Sequence, residues 1–257
     1  FDQAINEGQF KVYYQPKYDI RPDAPVLASA EALIRWQHPK LGLVSPGVFI
    51  PLFEENGMIQ RLDHYVWGQA AAQVRDWKER YGLSIPVSVN VSRVDMFDPE
   101  IVNTFQSLLK ANDLAPAELI PEITESAYTN NESLIISTVQ SLRTMGLRVE
   151  MDDFGTGYSS LGMISRLPLD ALKLDMTFVR SAFSGNGDTR MIELIIDIAE
   201  YLGVPTIAEG VETREQVEAL NVITQTALGF IAFTIGNEFR LQHLKTFGGK
   251  AITIGIF

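Results

Sequence analysis

Cysteine is absent from the 257 residues, so disulfides, thiolate metal sites and cysteine nucleophiles are excluded together. Histidine is scarce, with only His38, His64 and His243, so a bound metal would rest on oxygen ligands. Positive charge is also short. Lys and Arg number 21 against 32 Asp and Glu, for a formal charge of −11. That balance argues against the basic footprint that polymeric nucleic acid requires. A small phosphorylated ligand stays open, because a bound cation reverses the local field. No apolar run approaches the roughly 20 residues of a membrane helix, so no membrane contact is expected of this segment. The chain starts at Phe1 without methionine or a signal-like stretch, which reads as a domain excised from a longer protein.

What is present is an ordinary globular composition, 46% hydrophobic and 21% charged, at a length that suits one domain spanning 1–257. Strands are predicted at 10–15, 26–33, 85–91, 118–123, 147–151, 171–174 and 204–208, with 227–233 able to supply an eighth. Helices are predicted from Pro46, and over 62–81, 99–110, 132–145, 188–202 and 213–220. Several of them close at Gly82, Gly146 or Gly203. Strand and helix alternate, which fits either a doubly wound sheet or an α/β TIM-like (β/α)8 barrel. The strand count, the length and the placement of polar residues favour the barrel.

In such a barrel the chemistry sits at the carboxyl ends of several strands. Glu31, Asn90, Glu122, Asp152, Asp153 and Glu209 each follow a short β-prone run, and Lys173 and Asp175 lie two apart on one strand face. A single strand-end carboxylate usually faces water or caps a helix. Six strand ends converging on one rim would repel one another unless cations lay between them. Carboxylates plus an amide oxygen are the ligand set of Mg2+ or Mn2+. Glu31, Asn90, Glu122 and Asp152 are the expected ligands, with Asp153 adjacent and serving a second ion. Two ions would hold phosphate and attacking oxygen together, with Glu209 taking the water's proton and Lys173 orienting the nucleophile or offsetting charge. The run Asp152-Asp153-Phe154-Gly155-Thr156-Gly157-Tyr158-Ser159-Ser160 reads as a tight βα turn that could also rest an anion. Gly185-Asn186-Gly187-Asp188 reads as a loop, His64 as structural, and His38 as a turn residue.

Taken together, Glu31-Ala32-Leu33, Val89-Asn90-Val91-Ser92, Glu122-Ile123-Thr124-Glu125-Ser126, Asp152-Asp153-Phe154-Gly155, Lys173-Leu174-Asp175 and Ala208-Glu209-Gly210-Val211-Glu212-Thr213 resemble the EAL family of bacterial cyclic di-GMP phosphodiesterases. Gln15-Pro16 matches as well. The resemblance implies a barrel with one antiparallel strand, two Mg2+ or Mn2+ ions, and hydrolysis of cyclic di-GMP to linear pGpG. By it, Gln15 and Arg35 contact substrate, and Glu125 steadies the loop after the fourth predicted strand, which in this family links metal occupancy to dimerisation. Asp175 and Glu212 are supporting residues. It also implies a homodimer, attached sensory or cyclase domains, and a cytoplasmic location, in some members of a membrane-anchored protein.

Two departures stand against that pattern. Leu228 occupies the place of a family Gln that helps organise the site, and no proline follows Pro205. The tail 239–257 is also atypical, ending in the apolar, β-prone run Ala251-Ile252-Thr253-Ile254-Gly255-Ile256-Phe257. Pro121, just before Glu122, is expected to mark a bulge. Three readings therefore remain open: an active hydrolase, a cyclic di-GMP receptor without turnover, and a protein-interaction scaffold.

Overall fold

The structure is a computed structural model that describes residues 1–22, 24–129, 132–155, 166–184, 187–224 and 232–234. Leu228, the tail 239–257, and the glycine-rich stretches at 156–160 and 185–186 lie outside them. The chain divides into two compact units: residues 1–14 with 29–170, and residues 15–28 with 171–257.

Two strands cross the boundary between the units, β1 (Phe10–Asp19) and β2 (Val26–His38). In the first unit β2 runs well past Glu31 and folds back on β3 (Gly42–Val44), with Trp36 opposite Val44 and His38 opposite Gly42. His38 holds the turn by accepting the N–H groups of Lys40 and Leu41 at 3.2 Å each. A short N-terminal helix α1 (Asp2–Asn6) is followed later by α2 (Pro46–Glu55), with Pro46 in the first turn where its missing N–H has no cost. The long helix α3 (Ile59–Tyr81) buries Ile59, Leu62, Val66, Trp67, Ala70, Val74 and Trp77, one stripe at helical spacing. It closes at Gly82 in the left-handed region.

The strands β4 (Val87–Val91), β5 (Leu119–Thr124) and β6 (Glu150–Phe154) are separated by α4 (Arg93–Met96), α5 (Ile101–Asn112) and α6 (Glu132–Thr144). Helical crossovers force parallel pairing, and β2, β4, β5 and β6 are indeed parallel neighbours. The apolar residues Val87, Val89, Leu119, Ile120, Ile123 and Met151 are all buried, as strands covered on both faces require.

The expected bulge at Pro121 does not form. The register runs unbroken from Val87–Leu119 to Val91–Ile123. The ladder to β6 begins only at Glu122, so the proline precedes the pairing its missing donor would weaken. The fifth predicted strand also starts later than expected. Val149 gives its N–H to the Asp170 carboxylate at 2.8 Å, and Asp170 is itself gripped by the Arg143 guanidinium at 2.9 and 3.0 Å. Val149 is thus bonded outside the ladder, and Asp152 and Asp153 fall inside β6.

The second unit holds β7 (Ala171–Leu174), α7 (Met176–Ala182), α8 (Arg190–Leu202), β8 (Thr206–Ala208), α9 (Arg214–Thr224) and β9 (Ala232–Thr234). β7, β8 and β9 are parallel. β9 meets β1 antiparallel, with Lys17 opposite Thr234, so β1 is the antiparallel strand expected of the barrel. Of the predicted eighth strand, residues 232 and 233 belong to β9 and 227–231 lie outside the described residues. Among the described residues no helix is long and apolar enough to cross a membrane.

Candidate metal centre

Parallel register places the acidic residues. Glu31 lies opposite Ser88, Asn90 opposite Glu122, Glu122 opposite Glu150, and Thr124 opposite Asp152. Residues paired across a ladder share a face, as do residues two apart in one strand. Glu31, Asn90, Glu122, Glu150 and Asp152 therefore project to one side of four adjacent strands. Within that row one carboxylate oxygen each from Glu31, Glu122 and Asp152 lies within 4.8 Å of the others, and all three residues are buried. Asn90 Nδ2 donates to Glu31 Oε1 at 3.5 Å. The strand-end expectation needs adjustment, because Glu31, Asn90, Glu122, Asp152 and Asp153 sit inside their strands rather than after them.

Three carboxylates this close are costly. At an effective dielectric constant of 20, two unit charges about 5 Å apart repel by roughly 3 kcal/mol, before other partners are counted. A divalent cation offsets that repulsion. The donor set of three carboxylates and an amide, all hard oxygens, suits Mg2+ or Mn2+.

Hydrogen bonds to side chains hold the chain beyond Asp152. Asp153 has φ 54°, in the left-handed region that Asp tolerates better than most residues, and its N–H turns back to Asp152 Oδ1 at 2.9 Å. The buried Glu125 accepts the Gly155 N–H at 2.9 Å. That bond ties the turn after β5 to the residue following β6. Asp153 is not among the three clustered carboxylates. Arg35 is half-buried and donates to the Ile34 carbonyl at 2.9 Å.

In the second unit Lys173 is fully buried on β7 and its ammonium lies 2.8 Å from Glu209 Oε1. The Glu209 N–H donates to the Leu174 carbonyl at 3.1 Å, so backbone as well as side chain fixes the residue after β8. Asp175 caps α7 by accepting the Thr177 N–H. Glu212 is exposed and pairs with Arg180 at 3.3 Å. Gln15 lies on β1.

Three acidic residues escaped the sequence reading. Glu150 is buried two positions before Asp152 and on its face; a β6 starting one residue after Val149 would have pointed to it. Asp63 and Asp95 are buried together behind β4. Asp63 falls on the buried stripe of α3 beside Leu62 and Val66, and a carboxylate on an apolar helical stripe was the available signal. Burial, and then the neighbouring Asp95, push the Asp63 carboxyl well above the ordinary range. Burial acts on Asp95 in the same direction, but the facing His64 and Asp63 side chains and the hydrogen bond from Ser92 outweigh it and hold Asp95 low. His64 lies 3.5 Å from Asp95 Oδ1 and stacks on Trp67, as a structural histidine should.

A row of buried carboxylates and an amide carried by consecutive parallel strands defines an α/β protein with a candidate metal centre on one face of its sheet. The family profile described as EAL domain matches residues 1–226, and the chain belongs to the EAL domain family. It is 34% identical over 230 residues to the Pseudomonas aeruginosa protein named bifunctional diguanylate cyclase/cyclic di-GMP phosphodiesterase MucR, covering 89% of this chain and 33% of that protein. It is 36% identical over 214 residues to the Escherichia coli cyclic di-GMP phosphodiesterase PdeR, covering 83% and 32%. The chain thus spans about a third of the length of these curated relatives. The solved structure described as "PaMucR Phosphodiesterase, c-di-GMP complex" superposes with a TM-score of 0.84 at 32% identity, over 93% of this chain and 94% of that one. The fold is accordingly the mixed α/β, mostly parallel, TIM-like fold of EAL structures.

Proposed function

We propose that this domain hydrolyses cyclic di-GMP to linear pGpG with divalent metal. The observation that carries the reading is the meeting of Glu31, Glu122 and Asp152 oxygens within 4.8 Å in a buried setting, in a chain of the EAL family. Glu31, Asn90, Glu122 and Asp152 hold Mg2+ or Mn2+, and Asp153 contributes to a second ion. Bound metal supplies Lewis acidity to the phosphate and lowers the pKa of water. Glu209 accepts the proton of the attacking water, and the Lys173 ammonium keeps that carboxylate ionised and oriented. Gln15 and Arg35 bind substrate. Glu125 steadies the backbone at Gly155, while Asp175 caps α7 and Glu212 pairs with Arg180 of that same helix. The domain acts as a homodimer within a longer cytoplasmic or membrane-anchored protein that carries sensory or cyclase segments.

Leu228 in place of the family Gln favours a second reading, a receptor that binds cyclic di-GMP without cleaving it. One experiment separates them. Purified protein with Mn2+ or Mg2+ is mixed with cyclic di-GMP, and both bound nucleotide and released pGpG are followed. Release of pGpG that disappears in Glu209→Gln supports hydrolysis. Binding without product selects the receptor, and neither binding nor product leaves a scaffold.

A further inference from the structure

The ladder between β2 and β4 ends at the pair Ala32–Val89, one residue before Asn90. Beyond that point two side chains of α3 take hold of the β4 backbone. The Trp67 indole N–H donates to the Asn90 carbonyl at 2.9 Å. Asp63 Oδ2 accepts the Ser92 N–H at 3.3 Å. In an extended chain the carbonyl of one residue and the N–H two residues later point the same way. Asp63 and Trp67 are four apart, one turn on one helix face. One turn of α3 therefore grips both backbone groups that flank the Asn90–Ser92 step.

The grip is itself braced. The Ser92 hydroxyl donates to Asp95 Oδ2 at 2.6 Å and accepts the Asp95 N–H at 3.4 Å. Asp95 is fully buried, and its Oδ1 lies 3.5 Å from His64 Nε2. The Trp67 ring packs between His64 and Phe105, with centroids 4.8 and 4.7 Å away. A buried pair of carboxyl groups is an expensive way to satisfy one strand end, and an apolar or neutral residue on α3 would cost less. Such a device is explained if the orientation of the backbone it holds matters: the contacts span Val91, and the side chain that leaves the chain immediately before the held carbonyl belongs to Asn90.

We propose that Asp63 and Trp67 are positioning residues that fix the backbone at Asn90, so that its side-chain amide stays beside Glu31 as a metal ligand. The proposal rests on the reading of Glu31, Asn90, Glu122 and Asp152 as a metal centre. Residues that orient metal ligands from behind are worth 10–100-fold in metal affinity elsewhere.

The test is calorimetric titration of the nucleotide-free protein with Mn2+, with melting temperature recorded alongside. Trp67→Phe removes the indole N–H and keeps a ring; Asp63→Ala removes the acceptor; Asp63→Asn retains one. Trp67→Phe and Asp63→Ala are expected to bind Mn2+ about tenfold more weakly than wild type, and Asp63→Asn close to wild type. In an Asn90→Ala background, Trp67→Phe is expected to cause no further loss, because its effect passes through Asn90. A purely structural role would lower the melting temperature and leave Mn2+ affinity alone. Unchanged affinity in Trp67→Phe, or a loss that persists in full when Asn90 is already Ala, overturns the clamp. Wild-type protein that takes up no Mn2+ overturns the metal reading beneath it, a result read from wild type alone.

Discussion

The Lys173 ammonium, with no exposed surface, lies 2.8 Å from the carboxylate of Glu209, which stands just after β8 and is 18% exposed. A buried cation at that distance favours the ionised form of its partner and limits its rotation. Glu209→Gln keeps a hydrogen-bond acceptor for Lys173 but cannot take up a proton. It is expected to lose about 10²–10⁴-fold in turnover while melting near the wild-type temperature. Lys173→Ala is different, since it removes one partner of a buried pair. It is expected to cost stability toward the low end of about 3–5 kcal/mol, because Glu209 retains some solvent. Urea denaturation and pGpG release, measured on both variants, check this. Wild-type turnover by Glu209→Gln would remove it from the chemistry.

Carboxylate oxygens of Glu31, Glu122 and Asp152 lie within 4.8 Å of one another, so a melting temperature that depends on metal is the expected outcome of the metal reading. A ligand at one hundred times its Kd stabilises the folded state by about 2.7 kcal/mol. For a domain of this size that amounts to a rise of roughly 5–10 °C. Wild-type protein with excess Mn2+ is expected to show such a rise. Glu122→Gln is expected to lose it without melting earlier in the absence of metal, because neutralising one of three like charges relieves repulsion. Equal Mn2+ shifts in the two proteins would show that Glu122 is not a ligand.

Much of this centre was legible in the sequence, for a physical reason. Asn90, Glu122 and Asp152 interrupt short apolar strands, and in a buried parallel sheet a polar residue there needs a partner. Register is what the sequence could not supply. The strand expected over 26–33 extends to His38 because β3 folds back on it, and β6 starts at Glu150 because Val149 is bonded to Asp170. Glu150 was missed for that reason. Asp63 and Asp95 were missed because they lie 32 positions apart and meet only when α3 packs behind β4. The Lys173–Glu209 contact has the same character, since two lone strand residues become a pair only once β7 and β8 are neighbours.

Gly210 sits at φ +68°, and a Cβ placed on it would lie 2.7 Å from Met176 Cβ and 3.3 Å from Met176 Cα. Gly210→Ala therefore combines left-handed strain with a clash against α7. The expected loss is about 2 kcal/mol, read as a lower urea midpoint. Because Glu209 is the preceding residue, turnover should fall as well. Adding Met176→Ala should not rescue the variant, since alanine keeps the Cβ that is struck. A Gly210→Ala protein with an unchanged midpoint would show that the segment relaxes freely.

Asp63 gives a pH dependence of opposite sign to that of most paired carboxylates. Its carboxyl is held above the ordinary value by burial and by Asp95, so the folded protein keeps a proton that the unfolded chain releases from about pH 4. The stability this contributes is fully present below the unfolded pKa and is lost as pH rises through the folded one. Asp63→Asn carries a neutral amide throughout and has no such proton to lose. Relative to Asp63→Asn, wild type is expected to be most favoured near pH 4 and to lose that advantage progressively as pH rises through the folded-state pKa of Asp63. Asp95, held low, works in the other direction in both proteins and largely cancels from the difference. Urea unfolding of the two proteins across pH 4–8 measures it. A difference that stays flat, or that grows in favour of wild type with rising pH, would mean that Asp63 is ionised in the folded state.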